Sequence, residues 1–243
     1  MLEATAVAED AHFWFRGLRR TAGQLIDDAR RGRALRLIVD CGAGTGRNLD
    51  WLSRLGPTVG VELTPTGLRI GHRFGRRLVQ GTVAALPIAD GAADLATSFD
   101  VLYCLDDDVE RRALSEMFRI LRPGGFAIIN VAALDILHGS HSALTREIRR
   151  YTKPRLAARL TAAGFAVERM TFTNMTLFPM ALAIRGLERL RGKAGEESEA
   201  DLQVPAAPVN AVFDLALQAE ASLLRVANLP IGTSLMAVAR KPR

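Results

Sequence analysis

The chain has 243 residues, of which 49% are hydrophobic and 24% are charged, and it carries a formal net charge of +6. That length suits one large domain, and the composition excludes a disordered, collagenous or disulfide-stapled protein. Its apolar runs stay well below the roughly 20 residues that span a bilayer. The N-terminus lacks the basic start and apolar core of a secretory signal, so we expect a cytoplasmic protein.

The positive charge is weak evidence for a nucleic-acid partner. Among the 32 basic residues, the lysines are Lys153, Lys193 and Lys241, and such an Arg-rich composition is typical of many bacterial proteins. The chain also lacks an appended nucleic-acid-binding module, which makes a nucleic-acid partner a minor alternative. Cys41 and Cys104 cannot build a disulfide scaffold, and both are expected to be free thiols in a reducing compartment.

Short apolar runs alternate with amphipathic stretches through residues 35–172. The runs predict strands at 35–40, 58–62, 78–81, 94–99, 126–131 and 165–172. The amphipathic stretches predict helices at 47–55, 65–74, 109–121 and 154–163. The R-P-G-G sequence after residue 121 should end the third of these helices. Strands that alternate with crossover helices indicate a mainly parallel sheet covered on both faces.

The alternation breaks after residue 172. Two amphipathic helices are predicted at 174–191 and 209–227, on either side of an acidic stretch, and residues 233–240 return to a strand pattern. The sequence therefore predicts a single domain in four parts. These are a helical N-terminal cap (1–34), a core (35–172), a helical insertion (173–231) and a last strand (232–243).

The most informative segment is the turn D-C-G-A-G-T-G that follows the first predicted strand. Its three glycines allow the backbone to approach a ligand closely. A dinucleotide fingerprint, G-x-G-x-x-G, would need glycine where the chain has Arg47. The carboxylate of Asp40 repels pyrophosphate and suits a ligand that carries an ammonium group or hydroxyls. Glu62, at the end of the second strand, can accept hydrogen bonds from both hydroxyls of a ribose, as a Glu also does in NAD sites.

Several segments in order resemble the class I S-adenosylmethionine (SAM) dependent methyltransferases, in particular the bacterial type 11 group. They are VDCGAGTGRN, GVEL, ALPIADGAADLATSFDVL, LRPGG, and REIRRYT followed by AGFAVER. The resemblance runs from residue 35 to 172 and resumes in the last strand. It implies an α/β fold with a Rossmann-like, seven-stranded, mostly parallel sheet and helices on both faces. The last strand would be antiparallel, after a helical insertion.

The resemblance also implies a cofactor site, with SAM as methyl donor and S-adenosylhomocysteine (SAH) as product. The glycine turn would wrap the methionine end, Glu62 would hold the ribose, and Leu63 would pack against adenine. Thr82 stands where the family often has Asp, so the Val83 backbone amide would take over part of adenine recognition. The expected cofactor-binding residues are Trp14, Asp40, Gly42, Ala43, Gly44, Gly46, Asn48, Glu62, Leu63, Thr82, Val83, Ser98 and Phe99.

The N-terminal H-F-W-F-R segment is similar to the opening of some of these enzymes, where it folds over the cofactor. Trp14 would then face the sulfonium as a cation–π partner, or alternatively anchor the first helix to the sheet. Arg19 is a candidate clamp for the cofactor carboxylate. The run Asp106-Asp107-Asp108 marks a helix start rather than a metal site.

A general base is needed only if the acceptor is a hydroxyl or a protonated amine. The catalytic candidates are His141 and Tyr103, with His138 and Tyr151 as further possibilities. The sequence Arg149-Arg150-Tyr151 suits either a clamp for an acidic substrate or a solvated helix start. For the transfer itself, alignment of the acceptor with the methyl group supplies most of the acceleration.

The helical insertion is where acceptor specificity is expected. Its first helix has an apolar stripe formed by Leu177, Met180, Ala181, Ile184 and Leu187. Its second helix has one formed by Val209, Phe213, Ala216, Leu217, Leu223, Leu224 and Ala227. We expect the stripes to pack on each other as a lid over an apolar small-molecule pocket. The alternatives are a homodimer contact and a peripheral contact with an anionic membrane. Glu220 is either a paired core acid or a substrate contact.

These features predict SAM-dependent methylation of a small organic acceptor, at oxygen or nitrogen, in a natural-product or lipid-linked pathway. Two alternatives remain: a catalytically idle methyltransferase-like partner protein, and an RNA methyltransferase. Nucleic-acid base methyltransferases commonly place an Asn/Asp-Pro-Pro-aromatic run after the fourth strand, where this chain has Ser-Phe-Asp-Val. A monomer and a homodimer both remain open.

Overall fold

The structure is a computed structural model that describes residues 2–137, 147–190 and 204–243. In this part of the chain the helices are α1 (Leu2–Ala8), α2 (Phe13–Arg30), α3 (Leu49–Leu52), α4 (Pro65–Arg73), α5 (Asp107–Ile120), α6 (Lys153–Ala162), α7 (Phe178–Leu190) and α8 (Ala207–Leu223). The strands are β1 (Ile38–Cys41), β2 (Thr58–Glu62), β3 (Leu78–Gln80), β4 (Ala93–Phe99), β5 (Leu121–Ala132), β6 (Ala166–Thr173) and β7 (Ser234–Arg240).

The strands form one seven-stranded sheet in the order β3-β2-β1-β4-β5-β7-β6. Strands β1 to β5 pair in parallel, whereas β7 runs antiparallel to both β5 and β6. This arrangement confirms the predicted sheet, including its antiparallel last strand. The strand order reverses between β1 and β4, and an open parallel sheet binds its ligand at the carboxyl ends of the strands beside such a reversal.

Both faces of the sheet are covered, which explains why its central strands have continuous apolar runs. Every residue of β1 and β4 is buried. On one face the core contains Leu114 and Met117 of α5 with Leu156 of α6. On the other face Leu25 and Ile26 of α2 pack against the sheet. Helix α2 is therefore part of the core. The segment predicted as a helical cap, residues 1–34, thus also contributes to the packing of the sheet.

The element ends differ from the predicted ones where turns intervene. Helix α3 has four residues, Leu49–Leu52, instead of the nine expected at 47–55. The turn that follows β1 extends to Asn48, so the helix begins two residues later than predicted. Strand β5 begins at Leu121 instead of 126, so the R-P-G-G sequence lies within the strand. The pairing with β4 shifts there, and Gly124 adopts a φ of +78°. Helix α5 nevertheless ends just before this sequence, as predicted.

Helix α5 begins with the acidic run Asp106-Asp107-Asp108. The Asp106 carboxylate accepts a hydrogen bond of 2.7 Å from the backbone N–H of Val109, which confirms its role as an N-cap. Asp107 pairs with Arg149 and Arg159, and Asp108 pairs with Arg111. Among the residues that the structure describes, no group of three or more His, Cys, Asp or Glu side chains is arranged to hold a metal ion.

The helical insertion packs differently from the prediction. Helix α8 packs along α2 rather than on α7. Gly17 of α2 lets the two helices approach so closely that an added Cβ would lie 2.5 Å from Leu217 Cδ1. The rings of Phe13 and Phe213 are 5.0 Å apart, and Asp214 accepts hydrogen bonds of 2.7 and 3.0 Å from Arg20. The two predicted stripes meet at a small buried cluster that contains Leu177 and Leu217.

Part of each predicted stripe faces solvent. On α8 these residues are Val209 and Leu223, and on α7 they are Met180, Ile184 and Leu187. Within the described residues, no helix combines the length and the apolar character needed to cross a bilayer.

Candidate functional site

A cavity of about 530 Å³ lies at the carboxyl ends of β1 and β4. Its lining includes the glycine turn after β1, Phe99 at the end of β4 and the two residues after it. Residues of α1, α2, α7 and α8 and the start of β7 also contribute to the lining. The cavity therefore lies at the strand-order reversal, between the sheet and the helices that precede and follow the core.

The glycine turn has a backbone that requires glycine. Gly42, Gly44 and Gly46 have φ values of +81°, +58° and +75°, which side-chain-bearing residues rarely adopt. A Cβ on Gly42 would lie 2.6 Å from Val101 Cγ2, so glycine allows the segment after β4 to approach. A Cβ on Gly44 would meet nothing closer than Leu2 Cδ2, at 3.6 Å. The backbone at Gly44 is therefore open to a ligand in the cavity.

Asp40 is buried beneath this turn. Its Oδ1 accepts a hydrogen bond of 2.7 Å from Thr97 Oγ1, and its Oδ2 has no hydrogen-bond partner within the described part of the chain. The pKa of Asp40 is raised to about 7, mainly because burial disfavours the charged form. The hydrogen bond from Thr97 lowers this pKa, whereas the negative charge of Glu62 raises it further. An unpartnered carboxylate oxygen at this depth fits a ligand ammonium group or a water that bridges to it.

Glu62 connects the turn to the start of α4. Its carboxylate accepts hydrogen bonds from the backbone N–H groups of Gly44 and Thr64, both at 2.8 Å, and from Thr64 Oγ1 at 2.6 Å. Because a carboxylate offers about four acceptor positions, these three hydrogen bonds leave room for one ribose hydroxyl. A ribose that donates both hydroxyls to Glu62, as predicted, would need one of the three hydrogen bonds to rearrange.

The predicted adenine end lies outside the cavity. Leu63 is 60% exposed, so its apolar side chain is available to cover an aromatic ring. Thr82 Oγ1 accepts a hydrogen bond of 3.3 Å from the backbone N–H of Ala84, and Val83 is partly buried against the core. Of the predicted cofactor-binding residues, those that line the cavity are Trp14, Gly42, Ala43, Gly44, Asn48 and Phe99. Those outside its lining are Asp40, Gly46, Glu62, Leu63, Thr82, Val83 and Ser98.

The N-terminal segment is attached to the glycine turn through Glu9, a residue that sequence reasoning missed. Thr45 Oγ1 donates to the Glu9 carboxylate at 2.8 Å, and Arg76 Nη1 lies 3.7 Å from the same group. Burial raises the pKa of Glu9. Arg19 donates a hydrogen bond of 2.7 Å to the Glu9 carbonyl and lines the cavity. The pairing between Glu9 and Thr45 spans 36 positions and has no local sequence signal.

Trp14 lies at the cavity and within a small apolar cluster. It lines the cavity and also packs against the cluster of Phe13, Leu177 and Leu217. His12, before α2, accepts a hydrogen bond of 3.1 Å from the Trp14 backbone N–H, which positions the first turn of the helix. The indole is therefore held beside the cavity by the helix that anchors it.

The catalytic candidates occupy different positions. Tyr103 is buried and lines the cavity. Burial raises the pKa of Tyr103 well above its ordinary value, and the charges of Asp100 and Glu147 act in the same direction. Tyr103 therefore stays a neutral phenol near neutral pH and suits a hydrogen-bonding role better than that of a phenolate base. His141 and His138 lie outside the described residues.

The residues of the Arg149-Arg150-Tyr151 segment have different surroundings: two of them bind a buried carboxylate and one lines the cavity. Tyr151 Oη donates a hydrogen bond of 2.7 Å to the fully buried Glu110, and Arg149 pairs with the same carboxylate. The buried Glu110 carboxylate needs such donors, because an unpaired buried charge is costly. Arg149 and Tyr151 therefore serve Glu110 rather than the suggested substrate clamp. Arg150 instead lines the cavity and forms a bidentate pair with Glu147, with distances of 2.6 and 3.0 Å.

Glu220 proves to be a paired core acid. From α8 it accepts hydrogen bonds from the backbone N–H groups of Met175 and Thr176, at 3.0 and 2.6 Å, and from Thr176 Oγ1 at 2.6 Å. It thereby fixes the segment that leads into α7. Cys41 is buried in the core and Cys104 lines the cavity, and both are free thiols.

Residues 39–129 match a family model described as a methyltransferase domain. An uncharacterized methyltransferase of Mycobacterium sp. (strain KMS) is 33% identical over 49% of this chain. The matched part of the chain spans 50% of that relative's length. A protein of Mycolicibacterium smegmatis, named "Probable S-adenosylmethionine-dependent methyltransferase", is 27% identical over 89% of this chain and 80% of its own.

A solved structure with a similar fold is the 1,6-didemethyltoxoflavin-N1-methyltransferase of Burkholderia thailandensis, with bound 1,6-didemethyltoxoflavin and SAH. Its TM-score is 0.56 at 21% identity, over 95% of this chain and 81% of that one. This similarity establishes that the two proteins share a fold.

Proposed function

We propose that this chain, which belongs to the class I SAM-dependent methyltransferases, methylates a small organic acceptor at oxygen or nitrogen and releases SAH. The observation that carries the proposal is one continuous cavity that joins the glycine turn to Tyr103 and the start of β7. Such a cavity can hold the methionine end of the cofactor and an acceptor side by side. Alignment of the two is the main requirement of a direct displacement.

The residues at the turn fit SAM. Open backbone at Gly44 and the unpartnered oxygen of the buried Asp40 suit the methionine end. Arg19, which lines the cavity, would bind the carboxylate of that end. Glu62 and the exposed Leu63, with Thr82 and the Val83 backbone, would hold the adenosine end. When bound, SAM supplies a methyl group on a positively charged sulfur, which an acceptor lone pair can displace.

The chain's own groups would orient the acceptor and exclude water. Helices α1, α2 and α7 cover the cavity, and the indole of Trp14 can face the positive sulfur. The Tyr103 phenol can donate a hydrogen bond to the acceptor. If the acceptor must lose a proton, His141 is the proposed general base, with bulk water as the final proton acceptor.

A small molecule fits this site better than RNA does, because the N-terminal helices and α7 enclose the cavity. An intact glycine turn and the position of Glu62 also favour an active enzyme over an idle partner protein. Helices α7 and α8 expose apolar residues. A second copy of the chain or a membrane surface would cover these residues, so both stay alternatives as partners of the insertion.

Two glycine substitutions test the site. Gly44 and Gly75 both have positive φ, of +58° and +70°, so alanine strains the backbone at either position. Only the Gly44 substitution places a methyl group at the cavity. We expect Gly44→Ala to weaken SAH binding about tenfold or more in calorimetric titrations, and to slow SAH formation from SAM with a panel of phenols and amines. Gly75→Ala should retain wild-type affinity. Equal effects of the two substitutions would contradict the assignment.

A further inference from the structure

The acceptor side of the cavity has two chemically different walls. One wall is polar and contains Tyr103, Thr233 and the Glu147–Arg150 pair. Hydrogen bonds connect these segments, since Arg150 and Thr233 both contact Ala133 and the backbone of Tyr103 contacts that of Ile148. The other wall is apolar and contains Leu177, Met180, Ala181 and Ile184, at the start of α7 and along it. A site with such walls distinguishes the two ends of its ligand.

Thr233 is the most informative group on the polar wall. It immediately precedes β7, is 9% exposed and lines the cavity. Its Oγ1 is buried and finds no hydrogen-bond partner in the part of the chain that the structure describes. Because an unpaired buried hydroxyl costs free energy, a ligand that forms a hydrogen bond with Thr233 removes that cost on binding. The neutral Tyr103 phenol also lines the cavity and can donate a hydrogen bond to a ligand.

The apolar wall leads to the opening of the cavity. Met180 is 41% exposed and Ile184 is 46% exposed, although both line the cavity. Residues that both line a cavity and face solvent mark its mouth. Apolar side chains there gain free energy when an apolar group covers them.

We propose that the acceptor is a small amphiphile. A polar head that carries the atom to be methylated binds Thr233 and Tyr103, and an alkyl tail runs along α7 and emerges between Met180 and Ile184. This inference rests on the proposed function and assigns its substrate class. Thr233 becomes a specificity-determining residue for the head, and Ile184 for the tail.

Three probes separate the contributions of head and tail: para-pentylphenol, phenol and pentylbenzene. Each is titrated calorimetrically into the SAH-saturated protein. The proposal expects para-pentylphenol to bind about tenfold or more tightly than phenol, because its tail covers the apolar wall. It should also bind more tightly than pentylbenzene, which cannot form a hydrogen bond with Thr233.

Variants assign these preferences to residues. Thr233→Val keeps the side-chain shape and should weaken para-pentylphenol about three- to tenfold, with little change for pentylbenzene, whereas Thr233→Ser should restore binding. Ile184→Glu should weaken para-pentylphenol about fivefold or more and leave phenol unchanged. Leu187→Glu is the matched control, since Leu187 is on the same helix and is also 46% exposed but lies outside the cavity lining.

SAH affinity, measured for every variant, separates this inference from the proposed function. Normal SAH binding with equal affinities for phenol and para-pentylphenol would overturn the amphiphile proposal alone. So would a Thr233→Val variant with unchanged probe binding, or a Leu187→Glu variant as impaired as Ile184→Glu. Failure of the unmodified chain to bind SAH would overturn the proposed function and this inference with it.

Discussion

Asp40 belongs to the glycine turn that carries the family resemblance, yet it lies beneath the cavity lining rather than in it. Its pKa of about 7 lies far above that of an exposed carboxyl, because burial disfavours the charged form. In the unfolded chain the same group ionises near pH 4. Between these two pH values the folded state binds more protons than the unfolded state, so the contribution of Asp40 to stability falls as pH rises.

Asp40→Asn should therefore stabilise the fold most at alkaline pH. The asparagine keeps an acceptor for Thr97 Oγ1 but cannot ionise. The free energy of unfolding of the variant minus that of the wild type should increase by about 2–4 kcal/mol from roughly pH 4.5 to pH 8. Urea denaturation across this range measures the change.

Asp214→Asn is the control, because the pKa of Asp214 is shifted in the opposite direction to that of Asp40. The hydrogen bonds of Arg20 lower the pKa of Asp214, so the carboxylate stabilises the fold at neutral pH and this contribution is lost in acid. The asparagine variant should be less stable than wild type at pH 8, with the difference closing below about pH 4. A pH-independent effect of Asp40→Asn would contradict the assigned titration of Asp40.

The turn residues could be predicted because they are adjacent in the chain and the required backbone conformations favour glycine. Glu9, Glu147 and Thr233 could not, since their positions at the cavity depend on contacts between distant segments. The sequence also indicated Glu62 as a ribose ligand, but its bonds to Gly44 and Thr64 arise only in the folded turn.

Helices α2 and α8 show how packing depends on complementary surfaces. Gly17 leaves a gap that Leu217 fills, and Asp214 pairs with Arg16 and Arg20. Periodicity alone predicted the apolar stripe of α8 but not its neighbour, because several amphipathic helices could have covered it. The two stripes therefore meet only around Leu177 and Leu217, and α8 lies mainly along α2.

Two glycines of α2 allow a matched test of this contact. Gly17→Ala would place a methyl group 2.5 Å from Leu217 Cδ1, and overpacking of this kind costs about 1–3 kcal/mol. At Gly23 the nearest neighbour of an added Cβ is Trp51, at 3.7 Å, so alanine should stabilise the helix by about 0.5–1 kcal/mol. We expect urea midpoints to shift in opposite directions. Stabilisation by both substitutions would show that α2 and α8 do not pack tightly.

For the molecule as a whole, the sequence predicted the sheet and the helical segments that cover the site, but not the contacts that position those helices. Alternating strands and helices indicated a mainly parallel sheet covered on both faces, and the family resemblance implied its antiparallel last strand. The structure places the reversal of strand order between β1 and β4, beside which the cavity lies. The cover consists of α1, α2, α7 and α8, whose positions depend on bonds such as Thr45 to Glu9 and Thr176 to Glu220. Segments from both ends of the chain, together with the core, therefore define the cavity.

The central claim is that the cavity at the glycine turn binds SAM and its product. Calorimetric titration of the purified chain with SAH, with NADH as the control ligand, tests it most directly. The account predicts a micromolar dissociation constant for SAH and no heat of binding for NADH. Binding of NADH, or silence with both ligands from a folded protein, would contradict it, and silence would favour the idle-partner alternative.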